Sequence, residues 1–484
     1  MFRAPSRTLR TPLRPLALAL LLATQVATPA RAQQVPPAVD TRIYDLIEEV
    51  SAERIEADIT TLVNFGTRHT MSETESDTRG IGAARRWIKA QYDEISAACG
   101  DCLEVYFQRY VQEGDENSRI PVDTEIVNVL AVIRGSVHPN RYVIMSGDID
   151  SRVSDGLDYE SDSPGANDNA SGMAGAIEAA RVLAHHDFGS TIVLVGLSGE
   201  EQGLFGGRHM AEVAQAEGWD IAGVLNNDMI GNIEGVDGVI QNNSFRVFSE
   251  PTPTTESDQA RRMRRFAGGE VDGVSRQLAR YVERITDLYM TNLEATMIYR
   301  LDRFGRGGHH RPFNDLGFPG VRIMETHENY TRQHQDLRVE GGIAYGDVLD
   351  GVNFDYARKL TGVNVASLAA LAWAPPRPSE VTIAGAVRPS TTLRWLAVDS
   401  PLLAGYKVVW RDTTAPQWQK SRWVGDGAPC SIEVPAGSNC REFTIEGMVI
   451  DNYLFGVTSV GHDGNESVVS FPGLSQALTA PRRR

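Results

Sequence analysis

Between Gly147 and Glu201 the chain places carboxylates where apolar runs stop. The run at 142–145 leads into Asp148 and Asp150, a Gly-rich loop at 164–172 carries Asp168, and the run at 191–195 ends in Ser198-Gly199-Glu200-Glu201. A further run at 222–225 ends in Asn226-Asn227-Asp228. Like charges that meet at a strand edge repel strongly unless a cation sits among them. A pair of divalent metals would resolve that repulsion. Such a hydrolase needs one carboxylate to bridge two ions, terminal ligands for each, and a carboxylate off the metals to take a proton from water. Asp168 suits the bridge, since its loop permits close approach. Glu201 and Asp228 suit terminal ligands on opposite ions, and Glu200 suits the general base. The imidazole that such a site still wants is His334, which follows the apolar run at 321–324.

These residues need a scaffold that brings strand ends together. Residues 40–98 carry helical periodicity, with Ile43, Leu46, Ile47 and Val50 on one face,. Strands are expected at 102–110 and 125–133. From 142 to 227 strands alternate with helices such as 173–183, the pattern of a largely parallel sheet covered on both faces. Such sheets bind ligands beyond the carboxyl ends of their strands, which is where Asp148, Glu200, Glu201 and Asp228 fall. Helices are expected at 257–266 and 275–288, strands at 297–299 and 321–324, and a long closing helix at 352–372. Between them lies a Gly-rich loop, 303–313, carrying His309 and His310.

With these motifs in order, the chain resembles metallopeptidase family twenty-eight. Residues 164–172 match the family's Pro-Gly-Ala-x-Asp-Asn loop, 200–206 its Glu-Glu-x-Gly-Leu-x-Gly turn, 226–228 its Asn-x-Asp strand end and 310–313 its His-x-Pro-Phe loop. The resemblance implies a phosphorylase/hydrolase-like three-layer α/β fold with a mostly parallel central sheet, and a co-catalytic zinc exopeptidase. Carried over, Asp168 bridges and Glu200 acts as base, while one zinc takes Glu201 and the other takes Asp228 and His334. Asp150 orients the first terminal ligand from behind. From their own types and places, His310 is expected to line the substrate pocket rather than bind metal, and Tyr330 either to donate to the tetrahedral intermediate or to pack in the core. The chain departs from the family at two positions. Asp148 stands where the family has its first metal histidine, and His309 stands where it usually has Asp. With Asp148 as a carboxylate ligand beside Glu201, two ions per chain are expected. The one at Asp148 would be the weaker and closer to what manganese or magnesium accepts.

The 484 residues suffice for a large domain and a small one,. Residues 1–32 read as a secretion signal: a basic start, an apolar core too short to span a membrane comfortably, and Ala30-Arg31-Ala32 for cleavage,. The protein is therefore expected in the periplasm or outside the cell. The formal net charge of −16 falls to −21 without the five arginines of that segment, which argues against nucleic acid or anionic lipid as partners,. In an oxidising compartment the close pairs Cys99/Cys102 and Cys430/Cys440 are expected to form disulfides,. The peptidase domain is expected over 33–375, ending at the linker Pro375-Pro376-Arg377-Pro378,. Beyond it, 376–484 alternates in short strands and resembles a fibronectin type III β-sandwich with Trp395 in its core, a passive module or a contact surface for other proteins.

Aminopeptidase action on peptides is the primary expectation. Three rivals stand beside it. A carboxypeptidase would use Arg303 and Arg306 to hold the substrate carboxylate. A glutaminyl-cyclase-like transferase would work with a single zinc. A non-catalytic peptide binder would follow from loss of the first metal histidine, although a retained base at Glu200 has no use in a pure binder.

Overall fold

The computed structural model describes residues 35–475 apart from 435, 436 and 438, together with Leu478. The expected signal at 1–32 lies outside the described residues. Three helices open the described chain: α1 (Arg42–Glu48), α2 (Ala52–Val63) and α3 (Gly80–Ala98). Ser51 starts α2 because its hydroxyl accepts the amide of Arg54, satisfying one of the free donors of the first turn,.

An eight-stranded sheet follows, built from β1 (Glu104–Gln112), β2 (Thr124–Ile133), β3 (His138–Asp148), β4 (Ser190–Leu197), β5 (Asp220–Asn227), β6 (Ser244–Phe248), β7 (Glu294–Ile298) and β8 (Gly320–Glu325). Its order is β1-β2-β4-β3-β5-β8-β6-β7. The central strands β4, β3, β5 and β8 are parallel, while β2 and β6 pair antiparallel with β4 and β8. Every residue of β4 and β8 is buried, which is why these strands read as apolar runs without alternation,. The strands expected at 142–145, 191–195, 222–225 and 321–324 fall inside β3, β4, β5 and β8. β6 had no counterpart among the expectations, being only five residues long and carrying Arg246.

From β3 the chain passes through helix α4 (Gly172–Leu183) to β4 on one side, then crosses to place β5 on the other side of β3. That reversal opens a crevice beyond the strand ends. Glycine lets the backbones close around it. A Cβ on Gly147 would sit 2.5 Å from the Gly172 backbone, and one on Gly172 would sit 2.3 Å from the Asn227 carbonyl oxygen. The helix Phe354–Trp373 is apolar almost all round and is correspondingly buried, packing on α1, α4 and the sheet,. Asn353 caps its start by accepting the amide of Tyr356,. No helix among the described residues is long and apolar enough to cross a membrane.

After Pro375 the architecture changes to two antiparallel sheets. One joins Ser379–Ala384, Thr391–Leu396, Cys440–Ile445 and Ala428–Pro429. The other joins Lys420–Gly425, Leu403–Asp412 and Tyr453–Gly461. Trp395, Tyr406, Val408, Phe455 and Val457 fill the space between them. The Pro-rich segment is tied down rather than loose: Ser459 and Ser470 donate to the carbonyls of Pro376 and Pro378. These strands also dock on the α/β body, where buried Asp272 holds both Arg280 and Arg411. Both expected cysteine pairs, Cys99–Cys102 and Cys430–Cys440, are bonded.

Candidate active site

The crevice at the strand ends is a cleft of about 870 Å³ whose lining includes Asp168, Glu200, Glu201, Asp228, Tyr330 and His334. Asp168 enters on the loop before α4. Its amide, with that of Asn167, is held by the buried Asp347 carboxylate, and the buried Arg68 guanidinium donates to the carbonyls of Ile149, Pro164 and Gly165. Neither Arg68 nor Asp347 was legible as part of the site. Each acts from a distant stretch of chain on backbone atoms.

Glu200 and Glu201 begin a short turn after β4, entered through Gly199 at φ 74°, a left-handed conformation suited to glycine,. Asp150 fixes that turn, its two oxygens accepting the amides of Glu200 at 3.2 Å and Glu201 at 3.0 Å. With no imidazole at position 148 to orient, Asp150 turns to these backbone amides, and Oδ2 also accepts from the Thr70 hydroxyl at 3.2 Å. Burial and the neighbouring Glu201 charge push the Asp150 carboxyl upward, while the two amides oppose this,.

Asp168, Glu201 and His334 converge, with one donor atom from each lying within 4.8 Å of the others. His334 Nε2 is 2.9 Å from Asp168 Oδ2 and 2.9 Å from Glu201 Oε1. Arg152 donates to His334 Nδ1 at 2.6 Å and to Glu201 Oε2 at 2.8 Å. Because a guanidinium can only donate, Nδ1 accepts, and the ring proton sits on Nε2 between the two carboxylates. Burial works against a charged imidazole, Glu201 and Asp168 outweigh it and raise the proton affinity of His334, and Arg152 opposes a second proton by calling for a bare Nδ1. Burial likewise favours neutral forms of Asp168 and Glu201, and His334 overrides it and lowers both. Two carboxylate oxygens and an imidazole nitrogen around a point already held by a proton form a donor set that suits zinc. The residues fit such an ion. His334 had been expected with Asp228; it stands with Glu201 instead, because the chain after β8 loops back over the β4 side of the cleft.

The other half of the expected centre is arranged differently. Asp228 is 3 % exposed, and its Oδ2 lies 2.7 Å from Nη2 of Arg322, which is 0 % exposed. Arg322 Nη1 donates to Asp302 at 3.2–3.3 Å and to the Gly307 carbonyl at 2.8 Å. Burial pushes the Asp228 carboxyl upward and Arg322 opposes it. Asp148 points to two other partners: Oδ1 receives His309 Nδ1 at 2.6 Å and Oδ2 receives Asn169 Nδ2 at 2.7 Å. Burial and nearby Asp150 raise the Asp148 carboxyl well above its usual range, and burial lowers His309 to about 4, so the 2.6 Å contact between Oδ1 and Nδ1 is held by a single proton. A second divalent ion does not fit Asp148 and Asp228 in this arrangement. The two positions where the chain leaves the family pattern, 148 and 309, are thus in contact with one another.

Glu200 stands between the two halves. Among the described residues no hydrogen bond or ion pair engages its carboxylate, which is raised by burial and then by the Asp228 and Glu201 charges. His310, expected to line the pocket, is fully buried behind it with Nε2 2.9 Å from the Leu301 carbonyl oxygen. The cleft wall is made by its neighbours, since His310 begins a short helix that turns it inward. Tyr330 is on the rim and 56 % exposed. Arg303 and Arg306 also line the cleft, and Glu328 pairs with both, at 3.1 and 2.9 Å.

Residues 128–337 match Peptidase family M28. A "probable zinc metalloprotease" of Leptosphaeria maculans is 42% identical over 442 residues, covering 91% of this chain and 99% of that protein. Another from Pyrenophora teres f. teres is 41% identical over 441 residues, covering 90% and 88%. In fold, the chain is similar to the crystal structure of the Legionella pneumophila LapA aminopeptidase, with a TM-score of 0.51 at 18% identity over 70% of this chain and 77% of that one. Relatedness of that extent, over nearly the whole length, settles the family: the chain belongs to Peptidase family M28.

Proposed function

We propose that the protein is an exported zinc exopeptidase that removes N-terminal residues from peptides. The observation that carries this reading is Glu200, an unpaired carboxylate in the cleft beside the Asp168–Glu201–His334 donor set. Zinc held by those three residues would supply a Lewis acid for the scissile carbonyl and acidify a water. Glu200 would serve as the base that takes a proton from water and as the acid that returns it to the departing amine, and its raised proton affinity suits the second role,. Asp150 keeps Glu200 and Glu201 in register through their amides. Tyr330, exposed on the rim of the cleft, would donate its hydroxyl to a substrate oxygen.

The aminopeptidase choice over carboxypeptidase is supported by the arginines. Each arginine of the cleft already has a partner that competes with a substrate carboxylate: Arg303 and Arg306 share Glu328, Arg303 also meets Asp302, Arg152 pairs with Glu201, Arg119 donates to the Glu201 carbonyl and Arg311 lies 3.8 Å from Asp315. A pure peptide binder would have no need of an unpaired base. The two C-terminal sheets are read as a fibronectin type III-like module docked on the body and taking no part in catalysis. Assay of paired peptides with free and blocked α-amines is the test. Cleavage of free-amine peptides with release of N-terminal residues is expected. Faster cleavage of the blocked set with release of C-terminal residues would replace this reading with the carboxypeptidase one.

A further inference from the structure

Resting on the zinc peptidase reading, we infer that this chain holds one metal ion, at Asp168, Glu201 and His334, and that the Arg322 guanidinium fixed against Asp228 takes the place of a second. Asp228 Oδ2 lies 2.7 Å from Arg322 Nη2, and both residues are buried. Arg322 cannot swing aside to admit an ion. It projects from the middle of β8, and Asp302 and the Gly307 carbonyl hold its far side. The backbone crowds it as well, since a Cβ on Gly308 would come within 3.2 Å of Nη1. A guanidinium keeps its charge under all ordinary conditions. A divalent ion beside it would meet a like charge at contact distance in a poorly solvated site.

The remaining ligand of a second ion is also committed. Both oxygens of Asp148 are engaged, Oδ1 in a hydrogen bond with His309 Nδ1 and Oδ2 as acceptor from Asn169. Asn169 in turn donates to the Asn227 carbonyl and accepts the Met229 amide, so turning Asp148 outward would undo a connected buried network,. On the β4 side a guanidinium is also present, but Arg152 takes the outer Glu201 Oε2 and the far ring nitrogen Nδ1 of His334, so Asp168 Oδ2, Glu201 Oε1 and His334 Nε2 still face one another with only a proton among them. The acids at this strand edge are therefore neutralised by an exchangeable cation on one side and by a covalently attached one on the other. Arg322 and Asp302 are positioning residues in this scheme; neither lines the cleft.

The test is zinc stoichiometry on the full-length chain, stripped with chelator, reloaded with excess zinc, desalted, and read by native mass spectrometry and elemental analysis. One zinc per chain is expected for the wild type, none for Glu201→Gln, and one still for Asp228→Asn. Two zinc ions in the wild type, or loss of an ion in Asp228→Asn, would overturn the inference. Circular dichroism of each variant shows that the count refers to folded protein, and should Asp228→Asn not fold, the wild-type count decides alone. Peptide hydrolysis is scored separately. A chain holding one zinc that cuts no peptide refutes the peptidase reading and leaves the ion count standing, whereas an active chain holding two refutes only the inference.

Discussion

The two sides of the cleft begin from the same problem and solve it differently. Each gathers buried carboxylates at the end of a parallel strand pair, Asp168 with Glu201 on the β4 side and Asp148 with Asp228 on the β3–β5 side. On the first side the acids point at an imidazole nitrogen and at each other, leaving a gap with three donors and an opening to the cleft. On the second the same number of acids is closed off by His309, Asn169 and Arg322. A cation bound through lone pairs keeps positions open for water and substrate. A guanidinium offers only fixed donors and a single charge. On the proposed reading chemistry belongs to the β4 side, and the β5 side supplies a fixed field and a rigid wall.

The largest effect should come from breaking the open side. His334→Ala removes the imidazole from the donor set, and hydrolysis should fall by about 10³-fold or more as acidification of the water is lost, with zinc content falling in parallel. Steady-state kinetics with elemental analysis checks both. Retained zinc and retained rate would mean that the donor set lies elsewhere. Next in size is Glu200→Gln, expected to lower turnover by about 10²-fold or more, the range of a general base, with zinc content unchanged. If that variant lost zinc, Glu200 would be a ligand and the roles of the Glu-Glu pair would be reversed.

How much of this was legible follows from what each residue does locally. The strand ends could be read because unbroken apolar runs mark buried parallel strands, and the acids after them were visible as charges with no local reason to be there. The Asp168 loop and the Glu-Glu turn were legible for the same reason. The side on which His334 falls was not, because it depends on the path of the chain from Glu325 to His334 across the cleft rather than on spacing. Arg322 went unread although a signal existed. A single arginine inside the apolar run at 321–324 has to be paired, since an unpaired buried charge is prohibitive. His309 and Asp148 were both noticed as departures, yet only their 2.6 Å contact reveals them as one feature. The role of His310 was misjudged because motif position does not say which way a helix turns its first residue.

A smaller effect, one step removed from the chemistry, should come from Asp150. Asp150→Asn keeps the size of the side chain but leaves only one oxygen to accept the amides of Glu200 and Glu201. A drop in kcat of about 10- to 100-fold is expected, the range for groups that hold catalytic residues from behind, with KM and zinc content little changed. A rise in KM with kcat preserved would place Asp150 in contact with substrate instead.

The smallest effect on rate should come from the closed side, and the Asp148–His309 pair is the place to look for it. Their 2.6 Å hydrogen bond is fully buried, so removing one partner leaves the other without its match. His309 Nε2 already lacks a hydrogen-bond partner, so Nδ1 is the nitrogen that ties the ring to the site. His309→Ala should cost about 2–3 kcal/mol of stability, from the stranded carboxylate and the cavity together. Asp148→Asn should cost less, about 1 kcal/mol, because an amide oxygen still accepts from Nδ1. In the double variant the losses should fall short of the sum, the mark of a direct interaction. Denaturant unfolding of the four proteins measures this, and zinc content should stay constant across the set. Additive losses would mean that the contact contributes nothing. A loss of zinc in either single variant would make Asp148 or His309 part of the metal centre and erase the distinction between the two sides of the cleft.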